Sequence, residues 1–204
     1  MFQFSETRLR LFQKSDSARV KIFQISERVL FSLLFAGFTG LCARLRIYLP
    51  FTPVPVTGQV FAVLLSGFIL GKGYGSLSQM LYIGLGLLGI PWFVVGPIGP
   101  TGGYIVGFIA APYLIGALLE RRHANIGDTG ILFTFFAASC GVMLIYLFGS
   151  IQFMLFTGMS IGKTLLLAVL PFIPFDIAKA AAASACSYLL VRMAGKRAES
   201  HSKT

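Results

Sequence analysis

The sequence predicts an all-α integral membrane protein, a six-helix transmembrane bundle with both termini cytoplasmic. Three observations carry that reading. First, 56% of the 204 residues are hydrophobic and only 12% are charged, against about 25% charged in an ordinary soluble domain. Second, long uncharged runs recur along the whole chain, which makes lipid the solvent. Third, the composition includes 23 glycines and 20 phenylalanines, and glycine lets membrane helices approach closely.

Residues 1–28 are polar and basic. No uninterrupted apolar core or small-residue cleavage pattern marks them as a signal peptide, so they are expected to stay as a cytoplasmic segment. Leu9, Leu11, Phe12, Val20, Ile22, Phe23 and Ile25 are the apolar members of a surface helix there. A membrane domain over 29–192 follows, with spans near 29–43, 56–71, 76–90, 103–119, 131–150 and 174–192, and then a basic tail over 193–204. Several spans fall short of the roughly 20 residues of a straight crossing, which implies thinning of the bilayer or helices that stop against a protein-lined cavity. The run 161–170 is too short to cross and is closed by Leu170-Pro171. It reads as a re-entrant or interfacial helix.

Orientation follows from charge. With both ends inside, the inner segments hold thirteen of the 17 Lys and Arg, and the positive-inside rule selects that arrangement. Arg44, Arg46, Lys163 and Lys179 fall on the outer half, and Arg44 and Arg46 oppose the trend. The net charge of +10 is thus concentrated at basic ends facing anionic headgroups, so membrane lipid, and not nucleic acid, is the partner it fits. Cys42, Cys140 and Cys186 are odd in number and lie inside apolar runs, as small hydrophobic residues do. His123 and His201 have no neighbour at ligand spacing, so neither a metal site nor a cofactor is expected.

The outer segments hold proline and glycine where helices cannot continue: Pro50-Phe51-Thr52-Pro53-Val54-Pro55-Val56-Thr57, Gly96-Pro97-Ile98-Gly99-Pro100-Thr101-Gly102-Gly103, and Leu170-Pro171-Phe172-Ile173-Pro174. Three breaks on one face can cap a cavity that opens outward. Asp176 and Lys179 stand three residues apart at the start of the last span, hence on one helix face. Ionisable groups within spans cost about 2.5–3.5 kcal/mol each on insertion scales. The pair is therefore either a polar recognition point facing a cavity or a self-neutralising pair beside the helix N-terminus. The amides of Thr101, Gly102, Gly103 and Tyr104 lead into a helix and suit an anion such as a carboxylate, although a plain flexible turn has the same sequence.

Ala36 and Gly40, with Gly37, make a small-residue face that docks a helix, either within the bundle or on a partner subunit. Tyr48, Trp92 and Phe93 belong to a pocket wall or to the interfacial aromatic belt. The stretch Thr157 to Thr164 imitates a phosphate-binding loop but has Thr157 where the first glycine belongs. No nucleophile–base set, metal cluster or nucleotide motif is present. The reading is uptake of a small molecule, not catalysis, by a binding subunit powered by other chains.

The ordered set Pro50-Phe51-Thr52-Pro53-Val54-Pro55-Val56-Thr57, Gly67-Phe68-Ile69-Leu70-Gly71, Leu81-Tyr82-Ile83-Gly84-Leu85-Gly86-Leu87-Leu88-Gly89-Ile90-Pro91, Gly99-Pro100-Thr101-Gly102-Gly103-Tyr104 and Pro171-Phe172-Ile173-Pro174-Phe175-Asp176-Ile177-Ala178-Lys179 resembles the BioY family. These are the biotin-specific S components of energy-coupling-factor (ECF) transporters. The resemblance covers about 29–192. It implies a six-helix bundle in the bacterial cytoplasmic membrane that captures biotin from outside, working with a transmembrane coupling subunit and two cytoplasmic ATPase subunits. It also implies that Ala36 and Gly40 face the coupling subunit, and that the S component topples in the membrane to deliver its ligand. Two positions depart from the usual pattern: Phe175 where glycine is common, which is expected to reshape the pocket entrance, and Gly58 where a larger apolar residue is usual.

Biotin has a ureido ring with two N–H donors and a carbonyl, an apolar bicycle and tail, and a terminal carboxylate. Asp176 suits a ureido N–H and Lys179 the ureido carbonyl, with the carboxylate near Thr101 to Gly103. The swapped assignment, Lys179 on the carboxylate, stays open. Gln59, Tyr82 and Tyr104 are further candidates on the bundle wall. The alternatives are a carrier for another vitamin, a membrane enzyme using Asp176 and Lys179, or a structural scaffold.

Overall fold

The structure is a computed structural model and describes residues 3–91, 99–121 and 126–201. Helix α1 runs from Gln3 to Cys42 without a break. The sequence holds no glycine or proline between residues 3 and 36, so nothing stops the helix at the polar–apolar boundary near residue 28, and the apolar segment Phe23–Cys42 simply continues it. Two short strands, β1 (Arg46–Ile47) and β2 (Val56–Thr57), pair antiparallel with Arg46 opposite Thr57. They pinch off the proline-rich loop 48–55. Then come α2 (Gln59–Leu87), α3 (Gly102–Arg121), α4 (Ile126–Thr157), α5 (Ile161–Ala168), a 3-10 turn at Leu170–Phe172, and α6 (Ile173–His201).

Among the described residues, five helical stretches are long and apolar enough to cross a membrane: Phe23–Cys42, Gln59–Leu87, Gly102–Arg121, Gly130–Thr157 and Ile161–Leu190. The expected spans 56–71 and 76–90 fall in one element, α2, because the chain reverses inside it. Gly71 has φ 74° and ψ −175°, a conformation open essentially to glycine alone. The Gln59 side-chain amide donates to the Tyr82 hydroxyl at 2.8 Å, 23 residues away. In a straight helix those residues would be about 34 Å apart. A β-carbon on Gly75 would likewise lie 3.0 Å from the Ser66 carbonyl oxygen. The two legs of α2 therefore lie side by side. The crossing stretch of α4 also extends past the expected 131–150 to Thr157, so it reaches across without local thinning.

Glycine sets how closely the legs and α3 dock. A β-carbon on Gly67 would come within 2.9 Å of the Pro112 Cα, and one on Gly116 within 2.1 Å of the Lys72 amide nitrogen. Pro112 sits inside α3, and the Ser76 hydroxyl donates to the Ile109 carbonyl at 2.9 Å in that disturbed turn, a repair typical of membrane helices.

The exterior is apolar and part of the interior is polar. Leu88, Leu132, Leu155 and Met143 are 83%, 82%, 76% and 72% exposed, which suits lipid and not water. Inside, the buried Gln79 amide donates to the hydroxyls of Ser78, Thr39 and Ser66 at 3.0, 3.3 and 3.4 Å, tying α1 to both legs of α2. Ala36 is 0% exposed and Gly40 is buried too. Of the two alternatives for this face, their burial favours docking within the bundle. Gly37 is exposed with open space around it.

Candidate functional site

One cavity gathers the end of α1, strand β2 with the loop before it, and residues of α2, α3, α4 and α6. Its floor and walls are apolar: Val54, Val56 and Val60 from the β2 region and α2, Ile105 and Phe108 from α3, Ile145 from α4, and Phe172 from the 3-10 turn. Polar groups enter at few points, the pattern of a small-molecule site whose apolar lining supplies affinity and whose polar groups fix orientation.

Asp176 anchors the polar side. The prolines at 171 and 174 end the preceding chain and start α6, which places Asp176 in the first turn of that helix, where the helix dipole favours an anion. It is 4% exposed. Lys179 Nζ donates to its Oδ1 at 2.7 Å, and the Tyr146 hydroxyl donates to its Oδ2 at 2.6 Å. Both oxygens are thus held, one by the next turn of α6 and one by α4. Each keeps further lone-pair capacity for a ligand N–H. The Lys179 side chain is 17% exposed and lines the cavity, leaving ammonium protons free to point at a ligand acceptor.

Six of the eight residues expected to touch ligand line this cavity: Asp176, Lys179, Thr101, Tyr104, Tyr82 and Gln59. Gln59 and Tyr82 are hydrogen-bonded to each other across the legs of α2. The Tyr104 hydroxyl donates to the Ala168 carbonyl, which fastens α3 to the end of α5 and leaves the ring to face the cavity. Gly149 makes room for that ring, since a β-carbon there would lie 2.4 Å from it.

Gly102 and Gly103 are buried but do not line the cavity. A β-carbon on Gly103 would sit 2.1 Å from the Phe148 carbonyl oxygen, so this glycine brings α3 onto α4. The Gly102 and Tyr104 amides donate to the Gly99 and Thr101 carbonyls at 3.1 and 3.2 Å, which takes two N–H groups from the expected anion cradle.

Phe175 is 40% exposed and lies off the cavity, and Tyr48 is 60% exposed; Phe175 therefore does not shape the entrance. Trp92 and Phe93 lie outside the described residues. Gly58 has a structural reason: a β-carbon would meet the Cys42 carbonyl oxygen at 3.0 Å, where the loop folds back on α1.

Sequence reasoning missed Tyr146. The available signal was its place in the middle of a span, away from the interfaces where membrane tyrosines usually sit.

The BioY family's sequence model matches residues 13–196. The chain is 35% identical over 159 residues to a biotin transporter BioY of Thermotoga maritima, covering 74% of this chain and 89% of the relative. It is 38% identical over 156 residues to a probable biotin transporter BioY of Pyrococcus horikoshii, covering 74% and 87%. Among solved structures, the S-component for biotin from an ECF-type ABC transporter superposes with a TM-score of 0.76 at 25% identity, over 83% of this chain and 93% of that one. With the family's pattern matched nearly end to end and the polar cluster at the head of α6 seated in its cavity, this chain belongs to the BioY family.

Proposed function

We propose that this protein is the biotin-binding S component of an ECF-type transporter, with six membrane crossings and both termini in the cytoplasm of a bacterial cell. The observation that carries the reading is the apolar cavity closed on one side by Asp176, whose two oxygens are held by Tyr146 and Lys179. A ureido ring offers N–H donors and a carbonyl side by side, and Asp176 and Lys179 offer the matching acceptor and donor one helical turn apart. The fused bicycle and tail suit Val60, Ile105, Phe108 and Phe172. The same reading brings a transmembrane coupling subunit and cytoplasmic ATPase subunits as partners, since the chain carries no nucleotide motif of its own. Family membership and the biotin transporters among its relatives support it.

Equilibrium binding to the purified chain in detergent tests the ligand. Biotin is expected to bind saturably at one site and to resist displacement by riboflavin or thiamine. A well-folded sample that binds another vitamin and not biotin overturns the assignment.

The six crossings and the inside location of both ends are supported by the side-by-side legs of α2 and by the basic ends of the chain. In a version lacking native cysteines, Ser202→Cys is expected to react with an impermeant maleimide only after the membrane is opened. Labelling in intact cells would reverse the topology.

A further inference from the structure

The charge in the cavity balances without a ligand. Asp176 and Lys179 are its two ionisable carboxylate and ammonium groups, and they pair at 2.7 Å. A ligand that brings its own carboxylate therefore leaves one negative charge uncompensated in a low-dielectric site, at a cost that grows with burial. Two of the four amides at the head of α3 are occupied, as Gly102 and Tyr104 donate within the turn. The compensating cation has to come from the mouth.

Four Lys or Arg lie on the outer half of the chain. Lys179 is paired, Lys163 is exposed on α5, and the Arg44 guanidinium donates to the Pro91 carbonyl at 2.6 Å. Arg46 differs from all three. It is half-buried, and no hydrogen bond or ion pair holds it among the described residues. It lies on β1 directly opposite Thr57, and Thr57 lines the cavity. Cross-strand partners project to the same face of a ladder with β-carbons about 4.5–5.5 Å apart. Arg46 does not itself line the cavity, but its side chain starts next to Thr57, which does, and its donors are free among the described residues.

We propose that Arg46 is a specificity-determining residue, taking the carboxylate of the ligand at the mouth while Asp176 and Lys179 hold the opposite, ureido end. This rests on biotin being the ligand. A guanidinium matches a carboxylate with two parallel N–H donors, which an ammonium does not. The assignment also gives a role to a basic residue that runs against the inside excess of positive charge, and it separates the two ends of an extended ligand between two elements.

The test compares biotin with neutral biotinamide on the wild type, Arg46→Gln and Arg46→Lys. Arg46→Gln is expected to weaken biotin by about tenfold, as for loss of a charge-assisted hydrogen bond at a half-buried site, and to change biotinamide by less than about twofold, within the effect of an ordinary surface substitution. Arg46→Lys is expected to fall between. Raised salt should weaken biotin more than biotinamide on the wild type and erase the difference in Arg46→Gln. Unchanged biotin affinity in Arg46→Gln, or equal losses for both ligands, overturns the role of Arg46 while leaving the biotin reading standing. A folded wild type that binds neither ligand overturns both.

Discussion

Asp176→Asn is expected to lower biotin affinity by about 100-fold or more, on the scale of losing one partner from a buried ion pair, about 3–5 kcal/mol. The substitution keeps the shape of the side chain and removes its charge. Lys179, with a side chain only 17% exposed, then faces a neutral group, and its charge is left without the carboxylate. The new amide also has only one acceptor oxygen, so Tyr146 has to turn round to accept from its NH2, or Lys179 and the ureido N–H compete for that oxygen. Tyr146→Phe separates holding from binding. Alone it is expected to cost about tenfold to 100-fold, the range of one hydrogen bond to a charged group. In the Asp176→Asn background it should cost little more, because the carboxylate it orients is gone; such non-additivity is the mark of residues that act together. Calorimetric titration of biotin into the four proteins measures the cycle. Full affinity in Asp176→Asn would remove the carboxylate from recognition and leave the pair as a neutral clip at the head of α6.

Gly103→Val is expected to prevent assembly of the cavity end of the bundle, a loss of at least about 3 kcal/mol at the upper end of overpacking effects. The β-carbon alone would stand 2.1 Å from the Phe148 carbonyl oxygen and 2.5 Å from the Gln152 β-carbon. The first of these is backbone of α4, so no rotamer change relieves it, and α3 and α4 must separate. Their separation would also pull Tyr104 off Gly149 and open the cavity wall. Gly84→Val is the control, since nothing lies within 4 Å of its β-carbon position. Heating in detergent followed by size-exclusion chromatography reads the result: little monodisperse Gly103→Val protein, and a near-normal Gly84→Val profile. A stable Gly103→Val protein that fails only in biotin binding would instead restore this glycine to the ligand site.

The candidate site was legible where chemistry is rare. In a chain with so few charges, Asp176 and Lys179 three residues apart stand out, and they meet as the spacing requires. Gln59, Tyr82, Thr101 and Tyr104 were found through the ordered segments around them, and they share one cavity. Tyr146 was not found, because its mid-span position marks it as unusual without naming its partner, which appears only when α6 is placed beside α4. The glycines were recognised as important, but not what each of them touches. Gly103 touches the next helix, and Ala36 and Gly40 face inward, because a pattern of small residues announces a close contact without saying with what.

The sequence by itself determined the solvent, the number and type of apolar segments to within a helix reversal, and the residues able to carry polar recognition. Those properties follow from composition, from helical period and from the cost of charge in lipid, all of which are local. Only the tertiary structure decided that the two legs of α2 fold back at Gly71, that Tyr146 completes the hold on Asp176, and that Arg46 stands across from Thr57, a residue of the cavity wall. Each of these joins residues separated in the chain, and such pairings depend on how helices pack and strands register, which no local pattern of residues contains.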